Sequence, residues 1–281
     1  MEKTEITDPS RPPYKLLLSC TAGLSPSPVL SLLLSVVFDQ SYDRIPHPDT
    51  NLENSVSENS VVICSSSLMN FSKLTSIFDP IARQDFCRDK LESSVGKVPD
   101  DPVRCQHTSS PLGNGAIIET LDRKILVLKR SNNVGEFPGH FVFPGGHPEP
   151  EENGIAFHQH GKNSIDYDVI NKKVSQEMFD SIIREVVEET GVPATSLSEP
   201  VFIGVSRREL NVRPAAFFFI KCTLESDEIQ KLYSNAQDGF ESTQIYTVSM
   251  TELENMTSKM PGCHHGGFAL YKLMVEAQKD I

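Results

Sequence analysis

The sequence has little of the cysteine patterning that small secreted or zinc-binding folds require. Its six cysteines are scattered along 281 residues, and no two of them are separated by only two residues. Zinc fingers and ribbons need such close pairs, and small disulfide scaffolds need a much denser set. We therefore exclude both classes and expect a cytoplasmic location, where thiols stay reduced.

Positive charge is also in short supply. The chain carries 26 Lys and Arg against 38 Asp and Glu, a formal net charge of −12. Proteins that bind nucleic acid through counterion release need cations at the surface. We therefore expect no nucleic-acid partner, and an anionic small substrate would need a metal ion or a local group of cations.

An uninterrupted apolar segment long enough to span a membrane is missing as well. The best candidate, residues 16–38, contains no charged residue, but serines, Pro26 and Pro28 interrupt it. A spanning helix needs about 20 consecutive, mostly apolar residues. We interpret the segment as two buried strands, residues 14–19 and 30–38, and expect no membrane partner.

Periodicity divides the chain into an N-terminal strand region at residues 1–50, a loosely structured connection at 51–111 and a folded domain at 112–281. The connection is rich in serine and weak in periodicity, whereas strand and helix patterns sharpen after residue 112. Their irregular order favours an α+β domain or an α/β/α layered domain. The predicted strands cover residues 116–120, 124–129, 141–143, 200–205, 215–222 and 244–248, and the predicted helices cover 175–190, 227–234 and 267–279.

The helix predicted at residues 175–190 carries acidic residues where a helix tolerates them poorly. Glu185, Glu188 and Glu189 share one face, where like charges repel by a few tenths of a kcal/mol per pair. They also lie in the last turns, where the helix dipole disfavours anions by roughly 0.3–1 kcal/mol each. Arg184 can pair with Glu188, but one guanidinium does not neutralise three carboxylates. A hard divalent cation would neutralise them. The alternative interpretation is that the three carboxylates form a solvated acidic face.

The residues around these carboxylates form a recognisable motif. Gly146 is followed after five residues by Glu152, and residues 184–192 read Arg-Glu-Val-Val-Glu-Glu-Thr-Gly-Val. The pattern resembles the Nudix box, G-x5-E-x7-R-E-U-x-E-E-x-G-U, in which U is aliphatic. The spacing differs, because 31 residues separate Glu152 from Arg184. We interpret the extra residues as an insertion at 153–174, within a long loop at the rim of the site.

The resemblance to the Nudix family implies a Nudix α/β/α sandwich with a mixed sheet, preceded here by a small N-terminal β-containing region. It also implies hydrolysis at a diphosphate with Mg²⁺ or Mn²⁺ as the cofactor. The implied metal ligands are Glu185, Glu189 and Glu188. Arg184 would orient carboxylates, including Glu152, and the general base would be a metal-bound glutamate or Glu241.

Three further segments resemble the nucleoside diphosphate sugar branch of the Nudix family, which includes uridine diphosphate glucose pyrophosphatases and a plant enzyme for guanosine diphosphate mannose. These segments are residues 128–131, 144–150 and 241–243. The resemblance implies hydrolysis of a nucleotide sugar to a nucleoside monophosphate and a sugar 1-phosphate. It places the substrate contacts on Arg130, Gly135, His147 and Glu149.

The N-terminal half departs from that branch. The chain has no tryptophan, and residues 51–99 lack the aromatic and basic segments that would grip a nucleotide. Two other functions therefore stay open: a catalytically impaired binding module or sensor on a Nudix scaffold, and a Nudix enzyme for ADP-ribose or dinucleotides. We expect a small-molecule nucleotide sugar as the partner and make no prediction of the oligomeric state.

Overall fold

The structure is a computed structural model that describes residues 12–24, 60–67, 70–77, 112–134, 136–149, 167–209, 213–233 and 242–279. The strands in these ranges are β1 (Tyr14–Leu24), β2 (Ser60–Ser67), β3 (Asn70–Ile77), β4 (Gly113–Glu119), β5 (Ile125–Arg130), β6 (Phe141–Val142), β7 (Val201–Arg208), β8 (Pro214–Lys221) and β9 (Ser242–Val248). The α-helices are α1 (Tyr167–Thr190), α2 (Ser226–Tyr233), α3 (Met250–Met256) and α4 (Gly262–Lys279). Two 3₁₀ turns, Ala194–Ser196 and Thr257–Lys259, complete the regular structure of these ranges.

One mixed sheet contains seven of the strands. Its order is β1-β7-β8-β4-β5-β6, and β9 pairs with β5. Strands β4 and β8 run parallel over the full length of β4, whereas the other neighbours in the sheet pair antiparallel. Strands β2 and β3 form a separate antiparallel pair. The mixed sheet is the one that the sequence predicts.

Strand β8 shows why helices cover both faces of this sheet. Its sequence is PAAFFFIK, and all of its residues except Lys221 are buried. Successive side chains of a strand point to opposite faces. Phe218 therefore packs into the core on the α1 side, and Phe217 packs into the core on the α4 side. Layers of helix, sheet and helix result, which is the predicted Nudix sandwich.

Helix α1 is attached to the sheet by an apolar stripe. Burial of each such side chain contributes about 1.5–3 kcal/mol to stability. The stripe consists of Val174, Met178, Phe179, Ile182 and Val186, none more than 5% exposed. The helix ends at Thr190, because Gly191 adopts a positive φ of 72° and its amide donates to the Val187 carbonyl. This left-handed glycine is the helix end that the sequence predicts.

The start of α1 corrects the prediction. The helix begins at Tyr167, so residues 167–174 of the insertion, which the sequence predicts to be loop, are helical. The sequence shows no apolar helical period in this stretch, because Val169, Lys172 and Lys173 are exposed and do not form a core-facing stripe. Of the described side chains in this stretch, only that of Val174 reaches the core.

Helix α4 also begins earlier than predicted, at Gly262 instead of Gly267. Consecutive glycines usually weaken a helix by about 1 kcal/mol each. Here a Cβ atom at Gly267 would collide with the ring of Phe217, and one at Gly266 would collide with Ser206. The two glycines therefore allow α4 to approach the sheet closely.

The N-terminal predictions have mixed outcomes. Strand β1 confirms the strand expected from residue 14 and extends it to Leu24. The strand expected at residues 30–38 lies outside the described residues. Strands β2 and β3 lie in the connection at 51–111, which the sequence predicts to be loosely structured. Across the described ranges, the helices are too short or too polar to cross a membrane.

Candidate active site

The loop after β6, residues 144–149, runs along one face of α1, and we call it the site loop. Its backbone amides donate to carboxylates of the helix. Gly145 N donates to Glu189 Oε2 at 2.8 Å, His147 N to Glu185 Oε1 at 3.0 Å, and Glu149 N to Glu177 Oε1 at 2.9 Å. The three acceptors are separated by multiples of four residues, so they lie on one stripe of the helix.

Asn114 on β4 completes this row of contacts. Its Oδ1 accepts from Gly146 N at 2.8 Å, and its Nδ2 donates to Ser181 Oγ at 3.0 Å. Ser181 occupies the stripe position between Glu177 and Glu185. Asn114 is only 5% exposed, so it acts as a buried bridge between β4, the site loop and α1. Sequence reasoning missed it, since a single Asn on a strand carries no motif.

The two glycines of the site loop make this close approach possible. Gly145 has a φ of 153°, which side chains of L-residues rarely allow. A Cβ atom on Gly146 would overlap the carboxylate of Glu185. The Pro-Gly-Gly sequence therefore brings loop amides directly against the acidic residues of the helix.

The three predicted metal ligands differ in their surroundings. Glu189 is buried at 8% exposure, whereas Glu185 and Glu188 are half-buried. Within the described chain, Glu188 has no hydrogen-bond or ion-pair partner, and no three His, Cys, Asp or Glu side chains converge as a ready metal cluster. The donors are nevertheless all carboxylate oxygens on adjacent turns of one helix. That chemistry fits a hard divalent cation such as Mg²⁺ or Mn²⁺.

Arg184 pairs with Glu177, a residue that is not among the predicted site residues. Arg184 Nη2 lies 2.6 Å from Glu177 Oε1, and the carboxylate is only 1% exposed. The structure therefore does not form the Arg184–Glu188 pair that the spacing allows, because the guanidinium reaches back toward the start of the helix. Glu152, the other expected partner, lies outside the described residues. Glu177 and Arg184 are seven residues apart, which is about two helical turns, so the spacing within the helix was the sequence signal for this pair.

A cationic cluster lies on the other side of His147. Glu136 Oε2 lies 3.2 Å from Arg208 Nη2 and 2.9 Å from Arg213 Nη1. Arg213 Nη2 is 3.2 Å from His147 Nε2, and Arg130 Nε donates to the Glu136 carbonyl at 3.0 Å. Two predicted substrate residues, Arg130 and His147, are thus connected through residues that no sequence motif indicated.

His147 connects the acidic and cationic parts of the site. Its amide faces Glu185, and its ring faces Arg213. Crowding by protein atoms lowers the pKa of His147, Arg213 lowers it further and Glu136 opposes them, so that it reaches about 4. His147 is nevertheless exposed to solvent. Because arginine can only donate, the ring accepts at Nε2 and is neutral near pH 7.

Helix α2 and strand β9 approach the carboxylates from a third side. The Tyr233 hydroxyl donates to the Ser242 carbonyl at 3.0 Å. Burial, followed by the charge of Glu189, raises the pKa of Tyr233. Two other predicted residues, Gly135 and Glu241, lie outside the described residues.

No family model matches the chain. The chain is 54% identical over 309 aligned residues to Nudix hydrolase 9 from Arabidopsis thaliana, and the alignment covers 98% of this chain and 96% of that protein. The chain belongs to the Nudix hydrolase family. It is also 34% identical over 155 residues to human uridine diphosphate glucose pyrophosphatase NUDT22, covering 53% of this chain and 48% of that enzyme.

Solved structures similar to this Nudix hydrolase include a MutT protein from Methanosarcina mazei Go1, at 19% identity and a TM-score of 0.36, covering 59% of this chain and 94% of that protein. An Ap4A hydrolase from C. elegans aligns at 16% identity and a TM-score of 0.36, covering 59% and 98% of the two chains. The predicted family, fold class and enzyme class are confirmed. Nudix hydrolases generally use divalent metal ions.

Proposed function

We propose that this Nudix hydrolase cleaves the diphosphate bond of a nucleoside diphosphate sugar and releases a nucleoside monophosphate and a sugar 1-phosphate. The observation that carries the proposal is the row of hydrogen bonds between the site loop and α1, which holds Glu185 and Glu189 beside Glu188. The similarity to NUDT22, which is named as a uridine diphosphate glucose pyrophosphatase, supports this substrate class.

Glu185, Glu188 and Glu189 would hold Mg²⁺ or Mn²⁺, which when bound neutralises phosphate charge and lowers the pKa of a water molecule. Glu185 and Glu189 each accept a loop amide through one oxygen. Such contacts fix the orientation of a ligating carboxylate. Arg184 and Glu177 would keep the site loop in register with the helix, which makes Arg184 a positioning residue.

The reaction is a displacement at phosphorus. The oxygen of water forms a bond to one phosphorus atom, the bond from that atom to the bridging oxygen breaks, and the bridging oxygen leaves with the second phosphate. A metal-bound glutamate or Glu241 would accept the proton of the water. Catalysis of this kind depends on positioning and charge neutralisation more than on covalent chemistry.

The substrate contacts would lie around His147. With Nε2 engaged by Arg213, the neutral ring offers its Nδ1 hydrogen to an oxygen of the ligand. Arg130, at the end of β5, would bind phosphate oxygens, and the exposed Glu149 carboxylate would accept hydrogen bonds from sugar hydroxyls. Gly135 would let the backbone approach the ligand.

A substrate panel tests the proposal. Purified protein is incubated with Mg²⁺ or Mn²⁺ and with uridine diphosphate glucose, uridine diphosphate galactose, guanosine diphosphate mannose, ADP-ribose or Ap4A. Phosphorus NMR then identifies the products. We expect a nucleoside monophosphate and a sugar 1-phosphate from a nucleotide sugar, and no product after chelation with EDTA.

Two results would contradict the proposal. Hydrolysis of only ADP-ribose or Ap4A would move the chain to another Nudix substrate class. Tight binding of a nucleotide sugar with no hydrolysis under either metal would instead indicate a binding module.

A further inference from the structure

In the described part of the chain, the cationic cluster brings three arginines to one glutamate, Glu136. Arg208 and Arg213 both contact the same oxygen of Glu136, and Arg130 contacts the carbonyl of that residue. These four side chains together carry three positive charges and one negative charge. A group of partly buried cations in such excess favours an anionic ligand, because charge interactions strengthen away from bulk water.

Besides Arg130, Arg213 is a member of this cluster that can reach a ligand. A guanidinium has five N–H donors. Arg213 uses one toward Glu136 and one toward His147, which leaves three without a partner in the described chain. Its side chain is 20% exposed, whereas that of Arg208 is 5% exposed. Arg213 therefore presents unused donors to solvent from a mostly buried position.

The surroundings of Arg213 fix its orientation. Glu136 bridges it to Arg208, whose guanidinium stacks over the ring of Phe137 at 4.5 Å from the ring centroid. A guanidinium held in one orientation loses less conformational entropy when it binds a ligand. Glu136 and Arg208 thus act as supports for Arg213.

The position of Arg213 indicates which part of a substrate it would contact. His147 touches Arg213 with its ring and Glu185 with its backbone amide. An anion bound at Arg213 would therefore lie next to the carboxylates that would hold the divalent ion. Two linked phosphates could be neutralised by the metal ion at one end and by the guanidinium at the other.

We propose that Arg213 is a substrate-binding residue that donates hydrogen bonds to the phosphate oxygens of a diphosphate, and that Glu136 and Arg208 are positioning residues for its guanidinium. The inference rests on the proposed function, since it needs a substrate with a diphosphate beside the metal carboxylates. It extends that function by naming a contact that neither the Nudix box nor the nucleotide-sugar segments include.

The test compares Arg213→Gln, Arg213→Lys and a matched control, Arg123→Gln, which removes the same charge from the exposed turn between β4 and β5. Two probes are used. Calorimetry measures the Kd of inorganic pyrophosphate in EDTA, and steady-state kinetics measures kcat and KM for uridine diphosphate glucose with Mg²⁺. Thermal unfolding checks that each variant is folded.

We expect Arg213→Gln to raise the pyrophosphate Kd and the KM by about tenfold or more, as is typical for loss of a hydrogen bond between charged groups. Arg213→Lys should raise both by a smaller factor, because it keeps the charge and loses the planar fork. The control should change neither. Unchanged Kd and KM in a folded Arg213→Gln protein would overturn the inference, and so would absence of pyrophosphate binding by the unmodified protein. If Arg213→Gln does not fold, an unchanged Kd in Arg213→Lys has the same meaning.

The two proposals can fail separately. If the unmodified protein hydrolyses no nucleotide sugar but Arg213→Gln still weakens pyrophosphate binding, the proposed function fails and the anion site stands. If uridine diphosphate glucose is hydrolysed with the same KM by Arg213→Gln, the function stands and the assignment of Arg213 fails.

Discussion

Arg184 and Glu177 form an ion pair, with Nη2 and Oε1 2.6 Å apart, that anchors the site loop to α1. The same carboxylate oxygen also accepts the amide of Glu149 at 2.9 Å. Glu177 is almost fully buried, whereas the Arg184 side chain is 38% exposed. The pair therefore contributes mainly by satisfying a buried carboxylate and by fixing the loop.

Replacement of Glu177 by Gln should destabilise the protein. The neutral amide cannot form an ion pair with the guanidinium of Arg184, and one loop amide loses a charged acceptor, which together should lower the free energy of unfolding by about 2 kcal/mol. Chemical denaturation measures this change. The control is Asp180→Asn, which weakens an exposed contact with Gln176 on the same helix and should change stability by less than about 0.5 kcal/mol. Equal effects of the two variants would show that the ion pair is not an anchor.

Replacement of Glu189 by Gln should abolish turnover while preserving the fold. A neutral amide is a much poorer ligand for Mg²⁺, and loss of several kcal/mol of metal stabilisation corresponds to a fall in kcat on the order of a hundredfold or more. The amide oxygen can still accept from Gly145, and repulsion among the neighbouring carboxylates decreases. The Tm without metal should therefore stay the same or rise slightly.

The control for this variant is Glu276→Gln, which makes the same change at an exposed position of α4 and should leave kcat unchanged. Activity of Glu189→Gln near the unmodified level would contradict the metal assignment of this residue.

The sequence predicted those parts of the fold in which local pattern and tertiary packing agree. The predicted strand at residues 215–222 corresponds to β8, which divides its three consecutive phenylalanines between the two sides of the sheet. Gly191 indicated the end of α1, and it adopts the expected left-handed conformation. The acidic run before it indicated the helix face that meets the site loop.

The missed features depend on contacts between distant parts of the chain. Gly266 and Gly267 suggest the start of a helix, and only the closeness of Phe217 and Ser206 explains why α4 continues through them. Asn114 is 67 residues from its partner Ser181, so no local pattern could indicate their contact. Spacing within one helix was sufficient to predict Glu177 as the partner of Arg184, but the Nudix box indicated Glu152 instead.

Deletions in the insertion should affect stability differently before and after Tyr167. The sequence predicts a surface loop at residues 153–166, so their replacement by a short Gly-Ser linker should leave a folded protein, since changes in surface-loop length cost little free energy. Extension of the deletion through residue 174 also removes the first turns of α1 and the fully buried Val174. Loss of that side chain and of its helical turns should cost at least about 2 kcal/mol. Circular dichroism during thermal unfolding measures both variants.

Comparison of the two deletions tests whether the stabilising part of the insertion begins at Tyr167, the start of α1. If the shorter deletion fails to fold, the segment before Tyr167 is part of the core. If both deletions unfold at the same Tm, the early turns of α1 contribute nothing to stability.

His264 should make stability depend on pH in a range where carboxylates stay ionised. Its Nδ1 accepts from Phe143 N at 3.1 Å, and its ring packs near Phe217. Burial, then Arg130, then Arg208 lower the pKa of His264 to about 3, below the value of about 6.5 expected in the unfolded chain. As the pH falls below 6.5, the unfolded state takes up a proton that the folded state refuses, so the folded state loses stability until the pH reaches the folded pKa.

The loss cannot exceed about 1.4 kcal/mol per pH unit for one group, and the partial exposure of His264 reduces it. We therefore expect the difference between the unmodified protein and His264→Asn to change by roughly 1–2 kcal/mol between pH 6.5 and pH 5. Asn keeps an acceptor near the Phe143 amide and does not titrate, so it should flatten the pH dependence. Urea denaturation at a series of pH values measures both proteins, and other titrating groups cancel in the difference. Parallel stability curves would show that His264 takes up its proton equally in the folded and unfolded states.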